Sequence, residues 1–238
     1  MPMAIRKLFG KLASLIPFSI KGKNFFIRAS KTVEERFIGN ANIFSTVERG
    51  NILKNPKGVS PQEITKLYYD KVEHLDDITK MQYLDINLWM VGDILLKADK
   101  MSMAHSLEVR VPFLDKEVFK TAARIQTDFR VNKQATKYAF RMAAKEHMPQ
   151  EVADKKKLGF PVPIRIWLKE DKYYNVIKDA FHSEECRKYF DLDALMKYLE
   201  DHRSGKKDNS RKIWTVYMFI LWYRQYFSES KEYVQAAQ

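Results

Sequence analysis

The sequence predicts a mainly α-helical fold, and three observations support that prediction. Apolar residues recur three and four positions apart along most of the chain, as they do on one face of a helix. Ser or Thr stands three residues before Glu at two points where such an apolar pattern begins. Glycine is scarce, at 8 of 238 residues, which is about half its usual share of ~7%.

The N-terminal elements follow from these patterns. Residues 5–16 form an amphipathic helix that ends at Pro17. Its basic face suits a membrane or an acidic partner, but docking on the protein surface is the simpler interpretation. Capping boxes at 32–35 and 60–63 begin a brief helix and a longer one that runs to about Val72.

A long helix is predicted from Ile78 to about Met103, opened by Asp77. Between Leu84 and Leu96 it is apolar nearly all round, which indicates burial in a domain larger than a simple helical bundle. Further helices are predicted at about 115–124, 133–147, 149–156, 172–182, 184–189, 192–203 and 209–227. Two prolines and a glycine make residues 155–163 a loop, and the polar tail 228–238 is expected to fray.

Several classes of protein are excluded by residue counts and spacing. No two glycines lie closer than eight residues, so the chain carries no glycine-rich phosphate loop of its own. The five histidines are each at least twenty residues apart and there is one cysteine, so we expect no metal site. Cys186 excludes an intrachain disulfide, is interpreted as a buried or incidental thiol, and fits a reducing cytoplasm. The longest apolar stretch is about half the ~20 residues that a bilayer span needs.

Two charged clusters lie in the last turns of the long helix and in the extended stretch after it. Lys97 and Asp99 come after an apolar run, where charges are costly unless they are paired or face a cleft. Glu108 and Arg110 alternate in an extended stretch, so both lie on one face of it. Each cluster is open to two interpretations, a structural ion pair or part of a site, and the ion pair is favoured in both.

The third cluster is the lysine run, Lys155 to Lys157, in front of Leu158-Gly-Phe-Pro161. Lysines on a loop are natural ligands for phosphate oxygens, and an ordinary solvated charge run would look the same. The net charge of +12 is also compatible with a second function, nucleic-acid binding, in which Trp214, Tyr217 and Trp222 would stack on bases. Together with Met218 and Leu221 these aromatics have helical spacing, so a place in the core is the favoured interpretation and nucleic acid is not expected.

Read together, these clusters resemble one family. The run Asp93-Ile-Leu-Leu-Lys-Ala-Asp-Lys-Met-Ser-Met-Ala-His-Ser-Leu-Glu-Val-Arg-Val-Pro-Phe-Leu-Asp115 is similar to the glutamine-hydrolysing asparagine synthetases. Lys133-Gln-Ala-Thr-Lys137, the segment Lys157-Leu-Gly-Phe-Pro-Val-Pro163 and Ile213-Trp214 continue the resemblance in the same order. It covers residues 60–227 strongly, as the C-terminal part of the synthetase domain, and residues 1–59 more loosely, as peripheral helices and connecting segments.

The resemblance implies a helical C-terminal portion of an α/β PP-loop synthetase domain. Such a domain uses ATP and Mg²⁺ to activate aspartate as β-aspartyl-AMP, and ammonia from a glutaminase domain then displaces AMP to give asparagine. By position, Lys157 matches a lysine that contacts the phosphates, and Lys97 stands near the substrate pocket where relatives carry Arg. Asp99, Glu108 and Arg110 match positions that shape that pocket.

Departures from the family's pattern predict an incomplete enzyme. Pro2 stands where the family has a nucleophilic Cys, and the Ser-Gly-Gly-x-Asp-Ser pyrophosphate loop is absent from the sequence. We therefore expect a cytoplasmic fragment or split-protein piece that is inactive alone and completed by a missing N-terminal half or by a second copy. A non-catalytic docking remnant and a basic nucleic-acid binder are the alternatives. Missing strands would also leave the apolar 84–96 face exposed.

Overall fold

The computed structural model describes residues 2–16, 22–39, 42–156, 159 and 162–228, and this part of the chain is mainly helical, as the sequence predicts. Its only β pairing within those ranges is two isolated antiparallel bridges, Leu53 with Phe190 and Val131 with Thr136. The α-helices are α1 (Met3–Leu15), α2 (Lys23–Ala29), α3 (Val33–Arg36), α4 (Thr46–Ile52), α5 (Pro61–Tyr69), α6 (Asp77–Leu84), α7 (Leu96–Met103), α8 (Lys116–Arg124), α9 (Thr127–Arg130), α10 (Tyr138–His147), α11 (Gln150–Ala153), α12 (Ile164–Trp167), α13 (Asp171–His182), α14 (Glu184–Tyr189), α15 (Leu192–Arg203) and α16 (Ser210–Tyr223).

Both predicted capping boxes are confirmed. At α3 the Glu35 amide donates to Thr32 Oγ1 at 3.3 Å, and the Thr32 amide donates to Glu35 Oε2 at 2.8 Å. At α5 the Ser60 hydroxyl accepts from the Glu63 amide at 3.2 Å, with Pro61 at the first helical position. A 3₁₀ turn, Asp70–Val72, continues α5 to the predicted end.

The long helix also begins and ends where predicted, but its middle is not α-helical. The Asp76 carboxylate caps α6 by accepting from the Ile78 and Thr79 amides. A π-helical stretch, Asp85–Leu95, joins α6 to α7, and no residue in it is buried. Leu84 is buried, whereas Val91 remains 62% exposed. Part of this apolar face is therefore exposed, and the burial expected for residues 84–96 is limited to Leu84.

Two predicted helices are shorter than their sequence patterns. The helix expected at 133–147 begins at Tyr138, because Asn132 Oδ1 accepts from the amides of Gln134 and Ala135 and so forms a turn instead. Lys137 precedes α10 with φ of +59°, in the left-handed region. The helix expected at 149–156 ends at Ala153.

Contacts divide the chain into two compact units. The first comprises Met1–Ala41 and Val59–Leu158, and the second comprises Asn42–Gly58 and Gly159–Gln238. In the first unit a small core forms around Val33, Tyr69 and Leu84. The Tyr69 hydroxyl donates to the Phe37 carbonyl oxygen at 2.7 Å, and burial raises the pKa of that hydroxyl to about 12.

The second unit holds the larger core. Its most enclosed side chains come from α13, α15 and α16 and include Phe181, Leu199 and Ile220, each at 0% exposure. Cys186 is buried here as predicted, and burial raises the pKa of its thiol to about 11. Ionising that thiol is therefore unfavourable near neutral pH, which agrees with a structural role.

The prediction that the aromatic face of α16 lies in the core is wrong for most of its members. The helix buries Ile213, Val216 and Ile220 instead. Of the predicted set, Tyr217 packs against the core. The others are 37–48% exposed: Trp214, Met218, Leu221 and Trp222. Apolar residues cover more than half of this helix's circumference, so periodicity alone did not determine which arc faces inward.

Some predictions concern residues that lie outside the described ranges. These are Lys157, the Leu158, Phe160 and Pro161 positions, and the tail beyond Ser228. Within the described residues, no helix is long and apolar enough to cross a membrane.

Candidate functional site

The lysine run is described as far as Lys156, whereas Lys157 lies outside the described residues. Lys155 and Lys156 follow Asp154, the C-cap residue of α11, and both are exposed. Their ammonium groups are therefore open to an anionic ligand.

Helix α10 holds the chain that leads into the lysine run. Arg141 Nη1 donates to the carbonyl oxygens of Ala153, at 3.1 Å, and Lys155, at 3.5 Å. One helical turn later on the same face, Lys145 Nζ lies 2.9 Å from Asp154 Oδ1. The Lys145 hydrogen bond holds the pKa of the Asp154 carboxyl below its usual range. Two side chains of one helix thus fix the backbone at residues 153–155.

A cavity of about 600 Å³ lies beside this anchor. Its charged lining consists of Arg141, Lys145 and Lys156 with one carboxylate, Asp154. Since Asp154 pairs with Lys145, the lining keeps an excess of positive charge. Thr136 and Gln134 add polar groups to it. Such a lining suits phosphate oxygens, which guanidinium and ammonium groups bind by charge-assisted hydrogen bonds.

A second cavity collects the other predicted pocket residues. Asp99, Glu108 and Arg110 line a space of about 630 Å³ between the C-terminal half of α7 and the extended stretch that follows it. Arg110 Nη2 lies 2.5 Å from Glu108 Oε1, which confirms the predicted ion pair. Both side chains are more than two-thirds exposed, so this pair adds little stability by itself.

Lys97 is placed differently from the other candidates. Its ammonium lies 3.0 Å from Asp93 Oδ1, one turn back along the helix, and not against Asp99. Lys97 is not among the described residues that line the cavity of Asp99, and no described residue lines both this cavity and that of Lys156. The structure therefore brings together Asp99, Glu108 and Arg110, whereas Lys97 pairs with Asp93 and Lys156 lines a different cavity.

These residues fit part of a nucleotide. Phosphates match the excess of cations beside Lys156, and ATP, when bound, would supply an activated adenylyl group. Mg²⁺ does not fit as well, because the described residues contain no cluster of three Asp, Glu, His or Cys side chains that could hold a metal ion.

Sequence reasoning found the lysine run but missed its support. Arg141, Lys145 and Asp154 did not stand out, because an Arg and a Lys four residues apart on a helix are common on solvent-facing surfaces. The available signal was their position, on the last helix before a basic loop. Their contacts depend on how α11 folds back beside α10, which no local pattern encodes.

Comparison with known proteins identifies the family. The family model for asparagine synthase matches residues 17–224, which is most of the chain. The chain therefore belongs to the asparagine synthase family, as its motifs predict.

Individual relatives agree with that family. Asparagine synthetase [glutamine-hydrolyzing] 1 of Bacillus subtilis is 43% identical over 224 residues, which cover 93% of this chain. A putative asparagine synthetase [glutamine-hydrolyzing] of Mycobacterium bovis is 37% identical over 234 residues, or 97% of this chain. The match covers 35% of the length of each of these relatives, so the chain spans about a third of them. No solved structure matches the chain significantly.

Proposed function

We propose that this chain is the C-terminal part of an asparagine synthetase and supplies the cationic side of its ATP site. The observation that carries the proposal is the lysine run, which resembles a motif of the family and lies within the residues that the family model matches. Arg141 and Lys145 hold the backbone that leads into it. Lys155 and Lys156 are exposed, and the neighbouring cavity has an excess of positive charge.

The proposed reaction has two steps. A side-chain oxygen of aspartate attacks the α-phosphorus of ATP, and pyrophosphate leaves to give β-aspartyl-AMP. Ammonia then attacks the activated carbonyl carbon, AMP leaves with the former carboxylate oxygen, and asparagine is formed with release of a proton. Lys157 and its neighbours would offset the negative charge that builds on the departing pyrophosphate. Asp99, Glu108 and Arg110 would shape the pocket for the amino acid.

The glutaminase, the pyrophosphate loop and the parallel strands would come from polypeptide outside this sequence. The chain matches only 35% of the length of its relatives, and its own glycines are too far apart for a phosphate loop. The exposed apolar face between α6 and α7 is where such a segment would add cover. We therefore propose that the chain is inactive until that segment joins it.

The test is aspartate-dependent exchange of pyrophosphate into ATP. It is measured with the purified chain alone and with the chain co-expressed with the preceding segment of the Bacillus subtilis relative, after sedimentation has shown that the two associate. We expect exchange only in the complex, and at least a tenfold loss for Lys157→Met but not for Lys116→Met, a control on the exposed face of α8. The proposal would be overturned if the chain alone catalysed exchange. It would also be overturned if the complex kept its full exchange rate with Lys157→Met.

A further inference from the structure

A cavity in the first unit has no role in the proposed synthetase reaction. It measures about 790 Å³, is open to solvent on one side, and is lined by residues of α1, α2, α3 and the start of α6. That volume lies within the range of ~300–1,000 Å³ that small-molecule sites occupy. None of its lining residues belongs to the two cavities described above.

The lining of this cavity is strongly basic. Five cationic side chains face two carboxylates, and the charged members are Arg6, Arg28, Lys31, Arg36, Lys80, Glu34 and Asp77. Both carboxylates already have cationic partners. Lys80 Nζ lies 2.8 Å from Glu34 Oε1, and Arg36 Nη2 lies 3.7 Å from Asp77 Oδ2. Arg28 and Lys31 therefore remain in the lining as cations that pair with neither carboxylate.

Two of these cations are available to a ligand. Arg28 and Lys31 are both exposed, and among the described residues no carboxylate lies within ion-pair distance of either. They stand three residues apart, at the end of α2 and in the turn after it. A guanidinium binds two phosphate oxygens at once, whereas an ammonium acts as a point charge, so the two groups together suit a ligand with adjacent phosphates.

The walls that carry these cations are packed closely. A Cβ added at Gly10 of α1 would come within 2.2 Å of Ser30 Oγ, so only glycine lets α1 approach the end of α2 this far. At the base of the cavity Val33 is 1% exposed and the Lys80 side chain 12%. The backbone that carries Arg28 and Lys31 is therefore held in place by the packing of α1 against the end of α2, which lowers the entropy cost of binding.

We propose that this cavity binds a small polyanion of the diphosphate type, with Arg28 and Lys31 as its principal contacts. The convergence of cations in a concave space favours a small ligand over an extended polymer, which would require a basic stripe. The proposal does not depend on asparagine synthesis, because it concerns residues apart from the lysine run.

The experiment is calorimetric titration of the full chain with inorganic pyrophosphate. The test variant is Arg28→Met with Lys31→Met, and the matched control is Lys7→Met with Lys11→Met, which removes the same charge from α1 outside the cavity lining. A second control, Lys155→Met with Lys156→Met, separates this cavity from the lysine run. Circular dichroism checks that each variant is folded, and all substituted residues are exposed.

We expect binding by the unmodified chain to weaken roughly 10-fold or more in the Arg28 and Lys31 variant. The Lys7 and Lys11 control should bind within about twofold of the unmodified chain. The Lys155 and Lys156 variant should keep the binding event that the Arg28 and Lys31 variant loses. Equal weakening in the Lys7 and Lys11 control would show a diffuse effect of net charge and overturn the proposal. Loss confined to the Lys155 and Lys156 control, or no binding by the unmodified chain, would overturn it as well.

Discussion

The helices α13 to α16 and the stretch 85–152 are both rich in apolar side chains, but they use them differently. In the former, Phe181, Leu199 and Ile220 are fully buried and pack into one cluster. In the latter, no residue from Asp85 to Val152 is buried. The two regions have helices of similar kind, so secondary structure alone does not account for the difference.

The difference shows which part of the chain can stabilise itself. Helices α13, α15 and α16 contact one another, and each presents an apolar arc to the other two. The helices between residues 85 and 152 expose large side chains such as Phe119, Phe113 and Met101. Burying such side chains stabilises a fold by about 1.5–3 kcal/mol each, and this region forgoes that gain. Its apolar surface is suited to contact with further polypeptide.

The largest expected effect comes from removing a core ring. Phe181→Ala should lower the free energy of unfolding of the second unit by about 3–5 kcal/mol, because it leaves a cavity in a fully buried site. Phe119→Ala, at a side chain 48% exposed, should change stability by no more than ~0.5 kcal/mol. Urea unfolding followed by circular dichroism measures both. Similar costs for the two variants would show that the 85–152 region is packed after all.

The second-largest effect is expected from acid, which should lower the stability of the second unit. Burial tends to raise the pKa of Glu48, but hydrogen bonds from Lys212 and Ser45 outweigh it and lower the pKa from 4.5 to about 2. Because the folded pKa is depressed, this stabilisation is complete above about pH 4.5 and is lost as pH falls towards 2. It amounts to at most about 3 kcal/mol. Glu48→Gln should reduce the loss in free energy of unfolding between about pH 4.5 and 2. If the loss were unchanged in this variant, groups other than Glu48 would cause it.

A smaller, local effect is expected at the lysine run. Arg141→Met removes the donor that holds the Ala153 carbonyl, a contact to a charged group that contributes roughly 1.5–3 kcal/mol. Trypsin should then cleave after Lys155 and Lys156 several-fold faster, as mass spectrometry of timed samples would show. Arg124→Met is the control, with cleavage there unchanged. If Arg141→Met left the rate unaltered, α10 would not be the anchor of this segment.

The smallest effect on stability is expected on the exposed face. Val91→Glu with Met101→Glu should change the free energy of unfolding by no more than ~0.5 kcal/mol, since both side chains are more than 60% exposed. The same change should reduce binding of an apolar dye and self-association of the chain, because it interrupts the apolar face. Lys100→Glu on α7 is the charge control. Dye binding that persists undiminished would place the apolar surface elsewhere.

The sequence by itself determined most of the longer helices, several of their starts and the family. Capping boxes at Thr32 and Ser60 involve residues three positions apart, so the sequence predicts them without any knowledge of tertiary contacts. The motif from Asp93 to Asp115 predicted the asparagine synthase family that the comparisons show. Helix ends were less accurate where a side chain such as Asn132 formed a turn that competes with the helix.

Tertiary structure alone decided which faces are buried and what holds the candidate site. Apolar residues surround much of α16, and only its neighbours determine that Ile213 and Ile220 face the core while Trp222 does not. Likewise Arg141 became part of the site only because α11 brings Ala153 to it. Local sequence patterns reflect interactions between residues a few positions apart. Burial and long-range hydrogen bonds depend instead on which elements pack against one another.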